Sequence, residues 1–198
     1  MKSTGNLQIN VKTYWDGIYS DLSKDDAYWG KTMRFYKAVD YIKDGDKVID
    51  IGCGVGTACR LFKEKRPNAE VWGCDIAKEI MKREQAKDPN IKYVPEEVGN
   101  LKSIPSNYFD VVFAGEILEH LNDPQQLFKD AYRLLKSGGK FINTTPLGDR
   151  VKSPEHMWFF EQEDIENFYL SNGFDQVEFK KLPDMEHLYI IYSVGIKK

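Results

Sequence analysis

Cysteine is scarce. The chain has three, Cys53, Cys59 and Cys74, and no two of them form a CxxC pair. An odd, scattered set suggests neither a disulfide framework nor a zinc cluster, so reduced and largely buried thiols are expected. Long hydrophobic runs are also missing: no stretch reaches the roughly 20 apolar residues of a membrane span. The opening MKSTGNLQINVK is polar where a secretory leader would be apolar. A cytoplasmic location is the expectation. Excess charge of one sign is lacking too, with 28 Lys and Arg against 31 Asp and Glu and a net charge of −3. Such a balance offers no broad attraction for a phosphate backbone, which argues against nucleic acid as a partner and leaves room only for a local basic patch. Repeats, low-complexity tracts and evident linkers are absent, and 198 residues, 41% of them hydrophobic, suffice for one core. Residues 1–198 are therefore read as a single domain, with no sequence signal for its oligomeric state.

What is present is alternation. Strand-like runs occur at KVIDI (47–51), AEVWGC (69–74), IKYV (91–94), FDVVFA (109–114) and GKFINTT (139–145), separated by helix-patterned stretches. Strands alternating with helices imply βαβ units and a parallel sheet covered on both faces. Leu127, Phe128, Ala131, Leu134 and Leu135 recur at helical spacing from Pro124 to Lys136, where SGG is expected to end the helix. The tail differs: FDQVEFKKL and HLYIIYSVGI flank a Pro183-Asp184 turn and predict a closing antiparallel pair.

The segment VIDIGCGVGT, residues 48–57, carries Gly52, Gly54 and Gly56 on the first strand-to-helix turn. In a doubly wound sheet this turn comes closest to a ligand bound beyond the carboxyl ends of the strands. A pyrophosphate-binding turn reads GxGxxG, whereas here the third glycine is at 56 and threonine occupies 57. That spacing, with Asp50 two residues before the first glycine, argues for a ligand without a bridging pyrophosphate. A tight turn with no ligand is the plainer alternative. Asp75, at the end of the second strand, suits the hydroxyls of a ribose and equally suits the cap of the helix that follows.

VIDIGCGVGT, GCDIA, FDVVFAGEILEHL and LFKDAYRLLKSGGKFINTTP, taken in order from Val48 to Pro146, resemble the successive motifs of class I S-adenosylmethionine-dependent methyltransferases, and HMWFFEQEDIENFYLSNGF continues the likeness. The resemblance implies a Rossmann-like, doubly wound seven-stranded α/β sheet, mostly parallel with the last strand antiparallel. It implies a cofactor site in which Asp50, Gly52, Cys53, Gly54 and Gly56 line the methionine and ribose side. Asp75, with Ile76 beside it, would hold the ribose hydroxyls, Glu97 and Val98 would contact adenine, and Ala114 would end the fourth strand at the site. Glu97 departs from the commoner aspartate of the family. Trp15 and Tyr19 fall where related enzymes carry a cofactor-covering segment, and residues 1–44 are expected to form a helical lid. Packing of the first helices is the competing role for these aromatics, and the favoured one for Tyr14, Tyr28 and Trp29.

A sulfonium-bound methyl is already activated, so the protein must chiefly place the acceptor and, where required, take its proton. If a helix starts at Gly115, Glu116, Glu119 and His120 share one face through their i, i+3, i+4 spacing. His120 is then the candidate base, with Glu116 as its catalytic neighbour, and a hydrogen-bonded wall histidine is the alternative. His156, in the loop after the fifth strand, could join them. Two carboxylates and two imidazoles would suit Mg²⁺, Mn²⁺ or Zn²⁺. EILEHL and His156 are similar to the metal site of small-RNA terminal 2′-O-methyltransferases, and EILEHL also resembles ubiquinone-pathway O-methyltransferases; the mild acidity and the lack of an added RNA-binding domain favour a small-molecule acceptor. Methyl transfer to a hydroxyl oxygen of such an acceptor is the expectation. An NAD(P)-dependent oxidoreductase and a non-catalytic S-adenosylmethionine-binding module are the alternatives.

Overall fold

The computed structural model describes residues 1–5, 12–21, 33–148, 155–183 and 189–198. Tyr28, Trp29, Asp184 and the first part of the loop leading to His156 lie outside them. Strand β1 (Lys2–Ser3) is followed by helices α1 (Lys12–Asp21) and α2 (Met33–Val39), then by β2 (Lys47–Ile51), α3 (Thr57–Lys65), β3 (Glu70–Cys74), α4 (Lys78–Lys87) and β4 (Lys92–Val94). The second half runs β5 (Phe109–Gly115), α5 (Pro124–Leu134), β6 (Leu135–Pro146), β7 (Trp158–Phe159), α6 (Gln162–Ser171), β8 (Phe174–Pro183) and β9 (Tyr189–Lys197).

Seven strands form one sheet in the order β4-β3-β2-β5-β6-β9-β8. The pairs from β4 to β6 are parallel, and β9 runs antiparallel to both neighbours. This is the expected seven-stranded, mostly parallel sheet with its last strand reversed. Alternation along each strand sends side chains to opposite faces. Val48, Val111 and Phe113 join α2, α3 and α4 in one apolar cluster. Ile49, Ile51, Val112 and Ala114 join α5 and α6 in the other. Successive strands step outward from β2 to β4, then return to start again at β5 on its other side. The order reverses between β2 and β5, and a crevice opens there at the strands' carboxyl ends.

Helix α5 shows why the elements stop where they do. The Asp123 side chain accepts a hydrogen bond from the Gln125 N–H, and Pro124 occupies the first turn, where its missing N–H costs nothing. Leu127, Phe128, Ala131 and Leu134 are wholly buried. The helix ends earlier than its apolar spacing predicts: Leu135 already pairs with Phe109, and the register then slips before Val111 meets Lys140. The SGG segment absorbs this slip, with Gly138 at φ +77°.

The amino-terminal segment is not helical throughout. Lys2–Ser3 pairs antiparallel with Trp158–Phe159, a strand the sequence gives little sign of. Among the described residues no helix is long and apolar enough to cross a membrane.

Candidate active site

A cavity of about 590 Å³ lies at the switch point, within the roughly 300–1,000 Å³ usual for small-molecule sites. Its floor is the glycine turn. Gly52 and Gly54 take φ of +76° and +51°, and a Cβ on Gly54 would stand 3.1 Å from the Tyr19 ring. Both the backbone conformation and the close approach therefore exclude a side chain. Cys53 lines the cavity beside them, whereas Gly56 does not; a Cβ there would strike the Tyr93 hydroxyl.

Two buried carboxylates face this floor. Asp50 is pushed well above the usual carboxylate range by burial, and then by the charge of Asp75. Asp75 is raised by burial, against the pull of hydrogen bonds from the Ala77 and Gly54 N–H groups, each at 2.9 Å. Asp75 thus ties the glycine turn to the segment leading into α4, whose N-cap is Ala77 rather than Asp75. The Ile76 N–H pulls in the same direction as those of Ala77 and Gly54, and of the roughly four acceptor positions of a carboxylate one is left for a ligand. Ile76, Val98 and the exposed Glu97, the residues expected beside the ribose and adenine, line the cavity together with Glu96. Ala114 is fully buried in the opposite cluster and is not among the lining residues.

The other wall gathers the imidazoles. Strand β5 runs through Gly115, Glu116 adopts a left-handed φ of +56°, and only Leu118–His120 forms a helical turn, of the tight 3₁₀ kind. The expected common face of Glu116, Glu119 and His120 is therefore corrected. Glu116 lines the cavity but turns to accept a hydrogen bond from the Thr144 hydroxyl at 3.0 Å, while Glu119, His120 and His156 bring one potential ligand atom each within 4.8 Å of one another. Glu116 drops out of that cluster. The rings of His120 and His156 meet edge to face at 5.0 Å.

Glu119 is buried; its Oε2 accepts from the Thr145 hydroxyl at 2.9 Å, and its Oε1 has no hydrogen-bond partner among the described residues. Burial raises this carboxyl to about 7, against the opposing pull of the Thr145 hydroxyl and the Arg34 charge. His120 is shifted the other way, below the usual imidazole value, again chiefly by burial. Its Nε2 is 3.9 Å from Glu119 Oε1.

Helix α1 roofs both halves. Trp15 stacks on Tyr19 at 5.7 Å and presents an edge to His120 at 5.2 Å. Arg34, Ile117 and Glu155 are among the lining residues that the sequence reading did not single out. Arg34 is buried on α2, where its charge favours the ionised forms of Asp50 and Glu119. Ile117 closes over Gly52, to which an added Cβ would approach within 2.5 Å. Glu155 accepts a 2.7 Å hydrogen bond from the Tyr14 hydroxyl. Its position beside His156 was the available signal for Glu155; nothing in spacing alone separates Arg34 from the surface charges.

A glycine turn, two buried acids and a strand-end cavity on this sheet define a Rossmann-like fold of the methyltransferase kind. Residues 49–143 match the family described as "Methyltransferase domain". It is 29% identical over 177 residues to phosphoethanolamine N-methyltransferase 1 of Zea mays, an alignment covering 88% of this chain and 32% of the relative. It is 31% identical over 139 residues to the demethylmenaquinone methyltransferase of Anoxybacillus flavithermus, covering 67% and 57%. The chain spans about a third to a half of the length of the first curated relatives it matches. A crystal structure of a SAM-dependent methyltransferase from Aquifex aeolicus shares the fold with a TM-score of 0.73 at 15% identity, covering 91% of this chain and 98% of that one. The nicotinamide alternative is set aside by the family match.

Proposed function

We propose that the chain transfers a methyl group from S-adenosylmethionine to a hydroxyl oxygen of a small molecule, with His120 facing the acceptor. The observation that carries this reading is the convergence of the glycine turn, buried Asp50 and Asp75, and the Glu119/His120/His156 wall on a single roofed cavity. The residues present fit the cofactor: Gly52, Cys53 and Gly54 line the cavity, and two desolvated carboxylates suit a cationic ligand rich in hydroxyl donors. Asp75 would hold the ribose hydroxyls, Asp50 and Gly52 the methionine side, and Glu97 and Val98 the adenine. When bound, S-adenosylmethionine supplies a methyl already activated on sulfur.

The chain's own contribution is placement and proton handling. Trp15 and Tyr19 exclude water from above. His120, kept neutral by burial, offers an unprotonated nitrogen to an acceptor hydroxyl. Glu119, His120 and His156 would also hold a divalent cation such as Mg²⁺ or Mn²⁺, since a carboxylate oxygen without a hydrogen-bond partner among the described residues lies 3.9 Å from an imidazole nitrogen there. Such an ion would supply Lewis acidity toward the same hydroxyl. In that case His120 would serve as ligand in place of base, and Glu116 remains a polar wall residue in either case. The three cysteines are free and buried, in keeping with the proposed cytoplasmic location.

Incubating the protein with S-adenosylmethionine and a panel of phenols, alcohols and amines, and following S-adenosylhomocysteine release, tests the reading. Turnover of a hydroxyl acceptor is expected. Turnover of amines alone would overturn the oxygen assignment, and cofactor binding without any turnover would favour a non-catalytic binding module.

A further inference from the structure

We propose that Tyr14 is a positioning residue for His120, acting through Glu155, so that the helix roofing the cavity also sets which nitrogen of the His120 ring carries the hydrogen. This rests on the reading of His120 as the acceptor-facing group.

His120 Nδ1 lies 3.0 Å from the Glu155 carbonyl oxygen. A carbonyl can only accept, so Nδ1 donates, and in the neutral ring Nε2 is left with its lone pair. Nε2 is the nitrogen on the Glu119 side. The His120 tautomer is thus as firm as the orientation of one peptide carbonyl. The stretch after that carbonyl is anchored on one side: the Thr4 hydroxyl donates to the His156 carbonyl at 2.7 Å, the Thr4 N–H to the Met157 carbonyl at 2.9 Å, and the Met157 N–H to the Glu119 carbonyl at 2.8 Å. Glu155 itself is tethered by its side chain, which accepts the 2.7 Å bond from Tyr14. Burial and Glu155 push the Tyr14 phenol up to about 12, so it stays a donor throughout the working range.

Helix α1 therefore reaches His120 twice, through the Trp15 ring edge and through the Tyr14–Glu155 bond. One turn further on, Tyr19 lies against Gly54, and Asp16 accepts from the Glu79 N–H at 3.2 Å. A helix seated on the cofactor turn at one end and on the histidine's support at the other couples cover of the cofactor to the state of the imidazole.

Tyr14→Phe removes one oxygen and keeps the ring. With ¹⁵N-labelled histidine, the wild-type protein should show His120 as the Nδ1–H tautomer, and Tyr14→Phe a mixture of both. With an acceptor that is turned over, kcat should fall about tenfold, the worth of one hydrogen bond, while the dissociation constant for S-adenosylhomocysteine stays within about twofold. Glu155→Gln keeps an acceptor oxygen for Tyr14 and should keep the tautomer. Glu155→Ala should reproduce Tyr14→Phe, and the double variant should be no worse than either. An unchanged Nδ1–H tautomer in both Tyr14→Phe and Glu155→Ala overturns the proposal. A shifted tautomer with undiminished kcat leaves the clamp standing and removes His120 from the acceptor chemistry.

Discussion

Asp75 and His120 stand on opposite walls of one cavity and should separate cleanly when changed. Asp75 already accepts two backbone hydrogen bonds, so Asp75→Ala loosens the glycine turn and removes the proposed ribose acceptor together. Affinity for S-adenosylmethionine should fall by about 1.5–3 kcal/mol, the range for hydrogen bonds to a charged group, as read by calorimetry. His120→Ala should leave that affinity nearly intact while kcat falls by something like 10²–10⁴-fold. Equal effects of both changes on cofactor affinity would show that the two walls do not divide the work. Glu119 adds a pH dependence of stability. Its carboxyl titrates near 4.5 when unfolded and near 7 when folded, so its contribution is complete below 4.5 and is lost as the pH rises through 7. His120, held below its usual value, acts in the opposite sense on the acid side. Urea denaturation with chelator present should show Glu119→Gln gaining on the wild type between pH 5 and pH 8, by at most about 3 kcal/mol. A gap that does not move with pH would contradict the assignment.

Among the elements, α5 was legible because its apolar residues repeat at helical spacing. Phe128 lies wholly buried against Phe141, Phe168 and Tyr169. Phe128→Ala should cost about 3–5 kcal/mol in chemical denaturation, the usual penalty for a large aromatic lost from a core, with the S-adenosylhomocysteine affinity of the folded fraction unaltered. A loss under about 1 kcal/mol would mean that the cluster packs loosely. The strands read equally well, since fully covered parallel strands leave continuous apolar runs. The Glu116–His120 segment did not. Its i, i+3, i+4 spacing is real, but Glu116 takes a left-handed conformation and bonds to Thr144 on the neighbouring strand, so tertiary contact overrides the local pattern. Strand β1 was illegible for a related reason: two residues carry no periodicity, and their partner lies more than 150 positions away.

For the molecule as a whole, the alternation of elements made a parallel sheet covered on both faces readable, the resemblance supplied the seven strands, and the cavity follows from the strand order the structure adds. The roof was readable only in part: Trp15 and Tyr19 stood out through the family resemblance, whereas the Tyr14–Glu155 bond joins residues that no local pattern connects. If Glu119, His120 and His156 hold an ion, exhaustive chelation should remove most turnover, Mn²⁺ or Mg²⁺ should restore it, and S-adenosylhomocysteine should bind equally before and after. Full turnover in protein shown by elemental analysis to be metal-free would leave His120 as a base. The central claim is that the turn around Gly52 and Gly54, with Asp50 and Asp75, receives S-adenosylmethionine. Calorimetric titration of the wild-type chain with S-adenosylhomocysteine and, separately, with NAD tests it most directly. Saturable one-to-one binding of S-adenosylhomocysteine with no heat from NAD is the predicted result, and binding of NAD with none of S-adenosylhomocysteine would contradict it.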